Sequence, residues 1–143
     1  VIGCGIRVNR EGAEQVGEVL KRQGVELIAV DLVGYDIHID GSFLMIDRDL
    51  ALVDPFGLPY SFLERLKELK VRTIEITPAD NKWIINSLAV APGELIMPEG
   101  ATNRTLDELA GHGVRWTTVP YDRMQLNGGG IHCSTTPLIR DPA

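Results

Sequence analysis

The chain is 143 residues long, 44% hydrophobic and 24% charged, enough to build the core of one domain. A formal net charge of −6 with no basic run argues against a nucleic-acid surface, and no apolar run approaches the roughly 18 residues of a membrane span. The two cysteines, Cys4 and Cys133, lie far apart and make no disulfide framework, so a reducing, cytoplasmic setting is expected.

In chain order, the opening residues predict a strand over 1–8, a helix with Val16, Val19 and Leu20 on one face, and a strand over 25–30. Segment 44–76 predicts a fuller unit. A short apolar strand meets a tight turn at Asp47-Arg48-Asp49, and a second strand, Ala51-Leu52-Val53, ends at Pro55. An amphipathic helix with Phe62, Leu63, Leu66 and Leu69 follows, Pro59 standing where a first helical turn tolerates it, and a β-branched-rich strand closes the unit. Segment 88–119 repeats this plan about 44 residues later, a period typical of repeat architectures. Its turn is Pro92-Gly93-Glu94, its second strand Leu95-Ile96-Met97 ends at Pro98, and its helix carries Leu106, Leu109 and Ala110, with Thr102 or Asn103 as N-cap. The opening segment matches only the second half of the unit, so its first strand lacks a hairpin partner, and natural domains avoid such open edges. These residues are therefore expected to be the C-terminal part of a longer polypeptide. The alternative is a small α/β domain with an unusual edge.

Three clusters carry candidate chemistry. In Gly34-Tyr35-Asp36-Ile37-His38-Ile39-Asp40-Gly41, a strand would place His38 and Asp40 on one face, as a proton-transfer pair or an ordinary solvated one. In Asn127-Gly128-Gly129-Gly130-Ile131-His132-Cys133, three glycines permit φ > 0 and close approach to a ligand, and Cys133 is either a nucleophile or an inert free thiol. In Gly3-Cys4-Gly5-Ile6-Arg7, the Arg7 fork suits a substrate carboxylate or a surface acid, and the glycine spacing does not fit a dinucleotide loop.

Taken together, the clusters resemble the guanidine-modifying enzymes of the pentein superfamily: arginine and agmatine deiminases, dimethylargininases and amidinotransferases. His38-Ile39-Asp40 is similar to their His-x-Asp segment, Gly128-Gly129-Gly130-Ile131-His132-Cys133 to their nucleophile loop, and Gly5-Ile6-Arg7 to a carboxylate-binding element. Asn86-Ser87-Leu88 with Ala91-Pro92-Gly93 looks like an element between the two catalytic segments. The resemblance implies an α/β propeller of ββαβ modules, here about three of five blades, with modules roughly at 1–36, 37–81 and 82–143. It implies Cys133 as nucleophile and His38 as acid/base. Asp40, Arg7, Gly129 and Gly130 would bind a guanidino substrate such as arginine or an analogue.

The resemblance further implies a covalent amidino-thioether on Cys133, resolved by water (hydrolase) or by an acceptor amine (amidinotransferase). His132 is expected to orient the Cys loop. No cofactor, metal, nucleic acid or membrane is implied, and a homo-oligomer is left open. The family's further acids belong to N-terminal modules, so the 143 residues alone are expected to be inactive without that missing part. Two rival readings stand beside this one. The first is a non-catalytic binding protein of the same fold. The second is a metal site built from His38, Asp40, His132 and Cys133, against which adjacent His132 and Cys133 would ordinarily point apart.

Overall fold

The computed structural model describes residues 1–139, so the last four residues of the expected 82–143 module lie outside the described residues. Three small sheets follow one another along the chain. The first pairs β1 (Ile2–Cys4) in parallel with β2 (Ala29–Asp31) across helix α1 (Arg10–Lys21). The second runs β3 (Phe43–Asp47), β4 (Leu50–Val53), α2 (Tyr60–Glu68) and β5 (Arg72–Glu75), with β4 antiparallel to β3 and parallel to β5. The third repeats that order in β6 (Leu88–Ala91), β7 (Glu94–Pro98), α3 (Asn103–Gly111) and β8 (Arg115–Val119). A short helix α4 (Asp122–Gln125) leads into the Cys133 segment. Even the irregularities repeat, because the hairpin register slips at Met45/Asp47 and again at Ala89/Ala91.

Helices α1, α2 and α3 end the same way. Gly24, Lys70 and Gly113 take left-handed φ angles of 73°, 59° and 75°. The next amide, of Val25, Val71 or Val114, then bonds back to the carbonyl of Leu20, Leu66 or Leu109 at 3.1, 2.8 and 3.0 Å. This is the helix-closing motif in which a left-handed residue lets the last turn satisfy its own carbonyls. The second strand starts at Ala29 rather than at 25, where the sequence placed it. The first strand is also shorter than 1–8, because the chain turns at Gly5, whose amide reaches the Val8 carbonyl at 2.8 Å. On α1 the packed line is Ala13, Gly17 and Leu20, with Leu27 lying against Gly17. Val16 and Val19, expected on the buried face, stay 43% and 54% exposed because the small residues take the close contact.

Period-2 alternation on β4 explains how the sheets join. Leu50 and Leu52 enter a core with Ile74, Leu95, Met97 and Leu109, spanning the second and third sheets. Ala51 and Val53 enter a second core with Val30, Phe43, Phe62 and Leu66, reaching back to the first sheet. Phe43 and Phe62 meet edge to face there at 5.1 Å between centroids.

Asp80 fastens the second sheet to α3. Its carboxylate accepts from the Thr77 amide and hydroxyl, both at 2.8 Å, from the Thr102 amide at 2.6 Å and from the Thr105 hydroxyl at 2.9 Å. Burial alone would raise its pKa, but the Thr102 and Thr77 donors outweigh it and bring it from 3.8 to about 2. A folded-state value below the ordinary one makes the stabilisation complete above about pH 4, and it is lost as pH falls toward 2. Asp80→Ala should therefore cost at least about 2 kcal/mol at pH 7 and much less at pH 2, read from urea unfolding at both. Lys70 is the non-glycine among the three helix-closing residues. Lys70→Gly should raise stability by about 1 kcal/mol in the same assay, and a fall would show that its side chain supports the turn.

Candidate active site

The candidate site forms where the chain enters the second and third sheets, not on the strands themselves. Ahead of β3, residues Ile39–Gly41 make one 3₁₀ turn carrying Asp40. Ahead of β6, Lys82–Ile84 make another, after which Ile85, Asn86 and Ser87 run buried into the strand. His38 and Asp40 were expected on one strand face. His38 is extended (φ −140°, ψ 135°) and Asp40 already helical, so the two-residue alternation does not apply. The His38 imidazole is exposed and makes no hydrogen bond among the described residues.

The Cys segment reaches these turns from α4. Gly128 alone of its three glycines has a left-handed φ, 82°. Gly130 is needed for space: a Cβ there would stand 2.6 Å from Asn86 Cβ and Oδ1. Ile131, 6% exposed, anchors the segment, and His132–Ser134 form a third 3₁₀ turn.

His132 and Cys133 were expected to diverge, as on a strand. The 3₁₀ turn brings both onto one carboxylate oxygen, Asp40 Oδ2, at 2.9 Å from His132 Nδ1 and 3.5 Å from Cys133 Sγ. Burial alone would raise the Asp40 pKa, but hydrogen bonds from His132, Asn86 and Cys133, and the His132 charge, hold it below its ordinary value. Asp40 is thus an anion against an exposed thiol.

Asn86 lies beneath this contact, 1% exposed. Its Nδ2 donates to the Asp40 carbonyl at 3.1 Å, its Oδ1 accepts the Cys133 amide at 3.0 Å, and its carbonyl accepts the His132 amide at 2.9 Å. The next two amides are also used, Ser134 on the Ile131 carbonyl and Thr135 on that of His132, each at 3.1 Å. Asn86 was expected only as part of an element between the two catalytic segments, with no role in the site. Its signal was an amide inside the apolar run Trp83-Ile84-Ile85-Asn86-Ser87-Leu88, since a buried amide must find partners.

Of the residues singled out from sequence, Asp40, Gly129, Gly130 and Cys133 therefore come together, Gly129 lying 3.5 Å from Cys133 Cβ as measured from an added Cβ. His38 stands two residues from Asp40. Arg7 is exposed on the 5–8 turn, and no hydrogen bond or ion pair among the described residues joins it to Asp40 or Cys133. A cavity of about 580 Å³ runs between α1 and segment 24–29, with Ala13, Gly17 and Leu27 in its walls. It holds none of the Cys133 cluster, and the reactive groups outweigh its size as a guide to chemistry. Among the described residues no group of three or more His, Cys, Asp or Glu is placed to hold a metal ion, and no helix is long and apolar enough to cross a membrane.

Two ββαβ units stacked side by side define an α/β repeat fold, with Cys133 and His132 brought from beyond the last strand onto Asp40. The particular fold follows from solved structures. SxtG, an amidinotransferase of the saxitoxin biosynthetic pathway from Microseira wollei, aligns over 99% of this chain and 44% of its own, with TM-score 0.82 and 16% identity. DDAH from Pseudomonas aeruginosa aligns over 90% and 47%, with TM-score 0.72 and 22% identity. The N-terminal domain of ArgZ, an arginine dihydrolase of the ornithine-ammonia cycle in cyanobacteria, aligns over 92% and 48%, with TM-score 0.77 and 19% identity. No family model and no curated protein matches the sequence. The chain has the α/β fold of the pentein superfamily. It spans less than half the length of each of these three structures.

Gly130→Ala should unseat the Cys segment at a cost of about 1–3 kcal/mol, because the contact it would make is with a buried side chain that has no room to move. Thermal unfolding reads the cost. An unchanged midpoint would mean that the segment shifts freely.

Proposed function

We propose that the chain carries the nucleophile end of a cysteine enzyme acting on a guanidino substrate, arginine or a close analogue. The observation that carries this reading is electrostatic. Cysteine enzymes of acyl transfer stabilise an oxyanion with free amides beside the thiol. Here the four amides from His132 to Thr135 are all bonded internally, and a carboxylate stands 3.5 Å from Sγ. Such a site repels a developing anion and favours a cation, and a guanidinium is a cation whose carbon can be attacked. The pentein fold supports the same reading, since its structural neighbours include an amidinotransferase, a DDAH and an arginine dihydrolase.

In this reading Cys133 thiolate forms a C–S bond to the guanidinium carbon while Asp40 holds the cation. His38 protonates the departing nitrogen as the C–N bond breaks, leaving an amidino-thioether. Neutral His38 then deprotonates water, which displaces Cys133 to give a ureido product, or an acceptor amine, which gives amidino transfer. His132 orients the loop through Asp40, and Arg7 takes the substrate carboxylate. The modules at 1–36, 37–81 and 82–143 would form about three of five propeller blades. The remaining acids would come from a segment outside these 143 residues, and the chain by itself would be inactive in turnover.

Alkylation tests the charge preference without turnover. A cationic haloacetamidine should modify Cys133 at least about tenfold faster than the neutral haloacetamide, after normalisation to glutathione, a preference of about 1.4 kcal/mol. Asp40→Asn should remove the preference, and Cys133→Ala should remove the adduct seen by intact-mass spectrometry. Equal rates for the two reagents, or an adduct on another residue, would overturn the assignment.

A further inference from the structure

The contact between Cys133 and Asp40 joins two segments that share no strand, and neither segment holds the geometry by itself. Cys133 lies on an exposed 3₁₀ turn, and Asp40 on another 3₁₀ turn 93 residues earlier in the chain. The direct bonds between them run through side chains, His132 and Cys133 onto Oδ2, and both partners are partly solvated. Exposed ion pairs and thiol contacts of this kind hold geometry weakly.

A buried carboxamide fixes both backbones instead. Asn86 takes the Cys133 amide with Oδ1, gives Nδ2 to the Asp40 carbonyl, and offers its own carbonyl to the His132 amide. It is itself rigid. Ile84 and Ile85 before it and Ser87 after it are fully buried, its amide bonds to the Trp83 carbonyl at 3.0 Å, and Ser87 Oγ bonds to the Ile84 carbonyl at 2.6 Å. Gly130 closes on its side chain with no room for a Cβ. A planar amide offers one donor and one acceptor side at fixed separation, so it sets the distance between the two segments it bridges.

We propose that Asn86 is a positioning residue, the strut that holds the Cys133 thiol against the Asp40 carboxylate through its two-sided carboxamide. The inference rests on Cys133 being the nucleophile. It deepens that reading by placing control of the thiol's charge environment in a residue that touches neither substrate nor thiol.

A double-mutant cycle on the 143-residue chain tests it, with the rate of iodoacetamide alkylation at fixed pH, on a logarithmic scale, as readout. Cys133 is exposed and Cys4 is 7% exposed, so modification of Cys4 in the same spectra reports loss of fold. With Asn86 present, Asp40→Asn should raise the Cys133 alkylation rate about tenfold or more, because it removes a negative charge 3.5 Å from Sγ. In an Asn86→Ala background the same substitution should move it by less than about a third as much. Asn86→Ser, which keeps a small polar side chain without adding a charge, should give an intermediate shift, and it replaces Asn86→Ala if Cys4 becomes reactive. A merely structural Asn86 would lower the unfolding temperature and leave the Asp40→Asn shift intact. Equal shifts with and without Asn86, or no shift in the parent, overturn the proposal. The neutral reagent keeps the two readings separable. Loss of haloacetamidine preference would defeat the guanidino reading and leave this cycle standing, and equal shifts would defeat the strut alone.

Discussion

The structure depends on a constraint at strand β4. All four of its residues are buried, so both of its faces need a partner, and α2 can cover only one of them. The second face, Leu50 and Leu52, is covered by Leu95, Met97 and Leu109 of the following unit. A ββαβ unit of this kind cannot bury its central strand alone, and so units stack. Stacking also sets where the chain enters neighbouring units. The turns preceding β3 and β6 are brought together, and the amide of Gly93 in the second hairpin bonds to the carbonyl of Ile46 in the first at 3.0 Å.

The candidate site lies at those entrances, where the backbone is not committed to a ladder. Asp40 lies in the 3₁₀ turn before β3 and Asn86 just after the 3₁₀ turn before β6, one as an anion and the other as a neutral two-sided amide. The Cys segment adds the third part. The amides from His132 to Thr135 are taken by Asn86 and by the segment's own turns, and the charge standing beside Sγ is the Asp40 carboxylate, with His132 on the same oxygen. A thiol beside an anion is a poor device for carbonyl chemistry and a good one for a cationic carbon.

Much of this was legible in the sequence, where the physics is local. Apolar alternation and the turns at Asp47-Arg48-Asp49 and Pro92-Gly93-Glu94 located both hairpins, because period and turn chemistry act within a few residues. The repeat was also written three times in a pattern that went unread, Leu20…Gly24-Val25, Leu66…Lys70-Val71 and Leu109…Gly113-Val114, the last turns of the three helices. Lys70 obscured it, since a left-handed residue is sought among glycines. The face of α1 was misjudged because Ala13 and Gly17 look unimportant by hydrophobicity yet permit the closest approach. In the site, residue types were readable and their partners were not. Nothing local says that Asp40 meets Cys133 or that Asn86 bridges them, because those bonds exist only after two units have stacked.

That division has a physical origin. A repeat is satisfied by residues that are equivalent from unit to unit, and such residues are used up in packing. Chemistry needs positions where the units differ. Core leucines such as Leu66 and Leu109 recur and stay buried, whereas the strand entrances differ, with Asp40 inside the 3₁₀ turn of one and Asn86 just after that of the next. The Cys segment lies outside the repeat altogether, after β8, and so is free of strand pairing. It borrows its order from Asn86 and from the burial of Ile131. A segment ordered mainly by one buried amide and one apolar anchor is cheap to reposition by substitution, and the repeat around it need not change. This is how one scaffold of stacked units can keep its core while the charge beside its thiol is altered.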